Sequence, residues 1–209
     1  MITIKWLGAA LLLLSTIPAF ADAPAAGDPS SFQAAQPQAE RQVRFVVGMT
    51  LDHQFNKFGT VQFTNGSSTD LGDALVGFSA GAALPLTADR RFEAQGVVGF
   101  RFARVGASNG DVSFVEFPIE ITGHVNLGSF RLGAGPTFHF APKLSGSGVA
   151  AGIDTKFDPA FGAVGLAEYL FGAGKTKFSF GLRGTWLNLS AGGSSLDASG
   201  VGMLFACYL

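Results

Sequence analysis

From Val43 onward large apolar residues recur at every second position, and beyond the first 21 residues no run of about 18 apolar residues appears. A period of two gives extended strands with two unlike faces. The missing run excludes a transmembrane helix. Val43, Phe45, Val47, Met49 and Leu51 share one face, and Arg44, Val46, Gly48 and Thr50 lie between them. Phe92, Ala94, Gly96, Val98, Phe100 and Phe102 alternate with Glu93, Gln95, Val97, Gly99 and Arg101. Phe130, Leu132, Ala134, Phe138 and Phe140 alternate with Arg131, Gly133, Gly135, Thr137 and His139.

The pattern predicts strands over 43–52, 75–85, 91–104, 112–125, 130–141, 157–170, 176–189 and 198–209. A tilted strand crosses a bilayer in about 9–11 residues, and most of these segments reach that length. The connections alternate long and short, as in membrane barrels, which have short periplasmic turns and longer outer loops. With both termini periplasmic, Asn126-Leu127-Gly128-Ser129 is one of the short turns, and Asn65-Gly66 and Asn109-Gly110 mark outer loops. The predicted architecture is all-β: an up-and-down antiparallel eight-stranded transmembrane β-barrel over residues 42–209.

Composition decides which face is which. Charged residues make up only 14% of the chain and glycines number 29. The face opposite the large apolar residues carries Gly48, Gly77, Gly81, Gly99, Gly133, Gly135, Gly162 and Gly181, which suit a narrow lumen better than a wet surface. Its charges nearly balance. Glu93, Glu116, Glu120, Asp158 and Glu168 oppose Arg44, Arg101, Arg131, Lys177 and Arg183, and a closed lumen must pair them because an isolated buried charge is costly. With His124 these residues form a predicted polar network inside the barrel. Phe92, Phe130, Tyr169 and Phe178 at one end, and Phe102, Phe140 and Trp186 at the other, suggest two aromatic girdles.

Met1–Ala21 has the form of a secretory signal peptide: Lys5 in the n-region, an apolar stretch from Trp6 to Leu14, and Ala19-Phe20-Ala21 as the cleavage pattern. Residues 22–41, rich in Ala, Pro, Gln and Ser, read as a flexible periplasmic tail. No cysteine stands directly after the cleavage pattern, so no lipoprotein anchor is expected. Cys207 is the only cysteine and cannot form an internal disulfide.

Three segments carry a resemblance. Val115-Glu116-Phe117-Pro118-Ile119-Glu120-Ile121 resembles the acidic–apolar–Pro–apolar fourth strand of the outer-membrane β-barrel domain family, the small OmpX/OmpA-type barrels. Phe130-Arg131-Leu132-Gly133-Ala134-Gly135-Pro136 resembles that family's Gly-rich fifth strand, and Gly165-Leu166-Ala167-Glu168-Tyr169 the end of its sixth. The resemblance spans about Val43–Leu209 and implies a bacterial outer-membrane location in a Gram-negative envelope, with insertion by the barrel-assembly machinery. Such barrels end in Phe, whereas this sequence ends Tyr208-Leu209.

Motifs of chemistry do not find their context. Gly77-Phe78-Ser79-Ala80-Gly81 matches a nucleophile elbow but falls inside a predicted strand with no helix after it. Gly174-Lys175-Thr176 lacks the first glycine of a phosphate loop, and joins two strands. His53, His124 and His139 have no metal-ligand spacing, so no metal or cofactor is expected. Glu116 and Glu120 are read as ion-paired and not as an acid/base pair. The net charge of −1, without a basic cluster, excludes a nucleic-acid partner.

The expected role is structural or surface-interacting, non-enzymatic, with a lumen filled by side chains and function in the outer loops 53–74 and 142–156. Expected partners are outer-membrane lipid, lipopolysaccharide and a surface ligand that the sequence does not name. The expected state is a monomer. Two alternatives stand beside this: a narrow, porin-like passive channel for small solutes, and a lipid A-modifying enzyme. The deacylase-type His-x-Ser pairing is absent after both His124 and His139.

Overall fold

The structure, a computed structural model, describes residues 42–56, 58–62, 68–71, 74–107 and 109–209. The signal peptide, the tail 22–41 and the Asn65-Gly66 turn lie outside the described residues. Twelve strands follow one another: β1 (Arg44–Gln54), β2 (Gly59–Gln62), β3 (Ser68–Leu71), β4 (Leu75–Pro85), β5 (Phe92–Ala107), β6 (Gly110–Leu127), β7 (Phe130–Gly148), β8 (Asp154–Lys156), β9 (Ala160–Phe171), β10 (Lys177–Ala191), β11 (Ser194–Asp197) and β12 (Gly200–Tyr208).

Eight of them close into a ring. β1 pairs with β4, and the wall continues through β5, β6, β7, β9, β10 and β12. β12 then pairs back on β1 from Val46↔Tyr208 to Gln54↔Gly200, so no barrel edge remains. Every neighbouring pair is antiparallel. The short β2–β3 pair, β8 and β11 sit outside the ring; β8 adds to β7 and β11 to β10.

Alternation fixes the faces. Phe45, Val47, Met49 and Leu51 on β1 are 43–68% exposed, while Val46 and Thr50 between them are at most 5% exposed. The same holds around the wall, with Phe78, Ile121, Leu132, Phe180, Leu182 and Trp186 outside. A soluble barrel would hide these side chains; turning them out and the charges in suits a hydrocarbon solvent. The chain is therefore an up-and-down antiparallel eight-stranded transmembrane β-barrel.

Three tight turns define one end, here the turn end. Gly128, at φ 66, opens the two-residue turn between β6 and β7. Between β4 and β5, Thr87 Oγ1 donates to Asp89 Oδ1 at 2.5 Å and the Arg91 N–H donates to the same oxygen at 3.0 Å. These two bonds, the hydroxyl's first, hold the Asp89 carboxyl below the usual carboxylate range.

At the opposite, loop end the wall is uneven. β5, β6 and β7 are 16, 18 and 19 residues long, against 11 for β1 and β4 and 12 for β9. The alternation predicts a strand ending at 141. It fails there because Ala141 takes φ 44 and leaves two consecutive exposed residues, Phe140 and Ala141. β7 nevertheless continues to Gly148, so much of the expected loop 142–156 is strand.

Candidate functional site

The bore is filled by side chains in layers. Nearest the turn end, Arg131 of β7 is fully buried. Its Nη1 donates to Glu168 Oε1 at 3.1 Å and also to the Tyr208 hydroxyl, and its Nη2 donates to Gln95 Oε1 at 3.0 Å. Glu93 lies 3.5 Å from the same guanidinium and pairs with Arg44. Glu168 Oε2 accepts from Ser179 Oγ at 2.6 Å and from the Tyr208 hydroxyl at 2.9 Å. His124 sits beside Thr122 Oγ1, at 2.7 Å.

The next layer lies towards the loop end. Arg101 donates to Glu116 at 3.3 Å and to Glu120 at 2.9 Å, and its Nε is 3.6 Å from Asp52. Arg183 donates to Glu120 at 2.8 Å, and its Nε is 3.4 Å from Asp52. Glu120 and Asp52 thus each serve two guanidinium groups. His139 Nδ1 lies 2.7 Å from Glu116 Oε2, and its Nε2 lies 3.0 Å from Thr137 Oγ1.

Beyond the charges the bore turns apolar. Leu75, Ala103, Val112, Phe114, Ala160, Leu187, Leu189 and Ala198 form a buried cluster. Phe58, from the segment after β1, stacks on Phe114 with ring centroids 4.2 Å apart, and Phe157 meets Phe114 edge-on at 6.3 Å.

A polar, side-chain-filled lumen inside an apolar, closed antiparallel wall decides the architecture. The fold is that of the small outer-membrane β-barrels. No family model and no curated protein sequence matches this barrel. Among solved structures it is similar to Ail, the attachment invasion locus protein of Yersinia pestis, solved with the heparin analogue sucrose octasulfate: 12% identity, TM-score 0.49, covering 79% of this chain and 96% of that one. It is also similar to Neisserial surface protein A, with 10% identity, TM-score 0.46, and 79% and 93% of the two chains covered. Neither likeness assigns a ligand or a residue role to this barrel.

Of the residues expected in the network, Arg44, Glu93, Arg101, Glu116, Glu120, Arg131, Glu168 and Arg183 meet in the ion pairs above. His124 is buried beside Thr122, 3.9 Å from Glu168. Two expectations need correction. Asp158 is exposed and precedes β9, because Phe157 turns in to pack on Phe114 and the alternation starts only at Ala160. Lys177 stands at the turn end, where its Nζ donates to the Gly172 carbonyl at 2.7 Å and meets no lumen carboxylate.

Asp52, Gln95, Ser179 and Tyr208 belong with these groups and are not in the predicted network, while His139, expected to face the lumen, joins them there. All five share the parity of the lumen face, so the alternation carried the signal. Among the described residues five lumen carboxylates face four arginines (Asp52, Glu93, Glu116, Glu120 and Glu168 against Arg44, Arg101, Arg131 and Arg183). His139 supplies the remaining ring nitrogen to a carboxylate. No three His, Cys, Asp or Glu side chains among the described residues converge as a metal set. Ser79 of the elbow-like motif lies within β4, followed by β5.

Proposed function

We propose that this protein resides in the bacterial outer membrane as a closed, non-enzymatic barrel, and acts at the surface through its loop end. The observation that carries this reading is the crest of strands beyond the rim. β4 pairs with β5 only as far as Val76↔Phe102, yet β5, β6 and β7 run on together past Ala103, and β8 extends that sheet by pairing Lys156 with Lys143. The β7 margin is already extended by β8, and a sheet that grows by strand addition is the kind to which another chain can add a strand. Arg104–Asp111 at 2.7 Å and Lys143–Asp154 at 3.1 Å decorate it with exposed ion pairs, which contribute little to stability and leave polar groups at the surface.

The filled bore supports a structural rather than a transporting role. Arg131, Glu93, Glu116 and His139 are at most 1% exposed, and the apolar cluster lies across the loop end. A bore of eight strands is about wide enough for its own side chains. The test is fractionation followed by electrophoresis of boiled and unboiled samples. A band in the outer-membrane fraction whose mobility changes on boiling is expected. A soluble periplasmic protein without that change would end the reading.

A further inference from the structure

The turn end holds a feature that the lumen network does not use. A cavity of about 390 Å³ opens there, lined among others by Arg44, Asp89, Arg90, Asn126, Tyr169 and Lys177. Two cationic side chains, Arg90 and Lys177, stand beside one carboxylate, Asp89, while Arg44, the third cation of the lining, is already paired with Glu93. Among the described residues no carboxylate pairs with the Arg90 or Lys177 side chain. Arg44 and Asn126 are engaged elsewhere: Arg44 with Glu93 and the Tyr208 ring in the lumen, and Asn126 as donor to the Arg90 carbonyl. Arg90 and Lys177 thus offer positive charge beside the Asp89 carboxylate, and the cavity suits a group that carries both signs.

A second depression, of about 170 Å³, lies on the lipid-facing wall, and Tyr169 lines both. Its floor is Ala167 on β9, flanked in register by Leu132 of β7 and Leu182 of β10. Phe130 and Phe180 flank Tyr169 in the same way. Further along β9 the outward residue Gly165 is also small, and there the Trp186 ring, lying over Gly165 and Gly184, closes the trough. An apolar trough therefore starts beside a cationic cavity at the aromatic girdle, where lipid headgroups sit.

We propose that cavity and trough together hold one phosphoethanolamine phospholipid of the leaflet at the turn end. The phosphate accepts hydrogen bonds from Arg90 and Lys177, and the ammonium faces Asp89. One acyl chain lies over Ala167 between Leu132 and Leu182. The site rests on the membrane reading above.

The test uses the mature full-length barrel in detergent micelles, with retained lipid counted by native mass spectrometry. Wild type should keep one phosphatidylethanolamine, and keep phosphatidylglycerol, which lacks the ammonium, about tenfold less. Arg90→Asn with Lys177→Gln removes two charges at the turn end, and Asn tolerates the φ of 56 at position 90. Ala167→Leu fills the trough separately. Each variant should lower retention about tenfold while the mobility change on boiling persists. Equal retention by wild type and both variants would overturn the site, as would equal retention of the two lipids. Glycerophosphoethanolamine binding as tightly as the whole lipid would remove the trough, and with it the phospholipid. A wild-type protein without the boiling-dependent mobility change would sink the membrane reading itself, and the site with it.

Discussion

The hydroxyl of Tyr208 on β12 donates to Glu168 Oε2 on β9 at 2.9 Å, across the intervening strand β10, and also meets Arg131 of β7. Removing that hydroxyl leaves two charged groups each short of a partner. Tyr208→Phe should lower stability by about 1–3 kcal/mol, the cost of a buried polar group left unsatisfied. The urea midpoint of the barrel in phospholipid vesicles measures it; an unchanged midpoint would mean that the bond contributes nothing net.

Arg131 has the most to lose. It is fully buried and holds Glu93, Glu168 and Gln95 together. Arg131→Leu leaves Glu168 without a guanidinium in the bore and Glu93 with Arg44 alone, and should cost about 3–5 kcal/mol. The same unfolding experiment should rank it well above Tyr208→Phe.

The closed bore predicts that purified wild-type barrels in a planar bilayer show no stable single-channel current. Replacing both Arg101 and Arg183 with Ala widens the middle layer and leaves Asp52, Glu116 and Glu120 facing each other. With the Arg131 layer on one side and the apolar cluster on the other unchanged, that variant should show at most brief openings, and these should prefer cations. Steady current through the wild type, or anion preference in the variant, would contradict the layer as described.

Glycine matters where neighbouring backbone comes close. A Cβ on Gly81 would run into the Gly96 carbonyl, and one on Gly135 into the Ile121 carbonyl. Backbone in a closed ring cannot step aside as a flexible side chain can, so Gly81→Ala and Gly135→Ala should each cost about 1–3 kcal/mol. The outward glycines Gly96 and Gly123 have nothing within 4 Å of such a Cβ. Alanine there should change stability by less than about 0.5 kcal/mol. Equal effects at all four positions would refute the distinction.

Asp89 supplies a pH dependence at the turn end. Its folded carboxyl, stabilised by the Thr87 hydroxyl and the Arg91 N–H, titrates below its unfolded value. The contribution is therefore present above the unfolded carboxylate pKa, and is lost as pH falls through the folded one. NMR titration should show the depressed midpoint, and Thr87→Ala should move it back up.

Parity made the wall legible. Once Phe92 and Phe130 face outward, Glu93 and Arg131 must face inward, and no knowledge of contacts is needed. The same rule reached Asp52 and Tyr208, but each sits near a strand end where an isolated polar residue looks like a boundary. The apolar layer was not legible. Phe58 lies in a connecting segment without a period, and the predicted strand from 157 turns Phe157 outward; only the folded chain brings both to Phe114. The crest escaped for a local reason: one left-handed residue, Ala141, shifts the phase of β7 without ending it.

The two charged layers act as spokes. Arg131 ties β7 to β5, β9 and β12, while Arg101 and Arg183 tie β5 and β10 to β1 and β6. Ion pairs and hydrogen bonds depend on direction as well as distance, so flattening the ring at these levels means breaking them. The loop-end layer is held by apolar contacts, which have no preferred direction and can slide. A squeeze from the surrounding bilayer is consequently met by a rigid hub, and its deformation is taken up at the loop-end rim, where the crest is rooted.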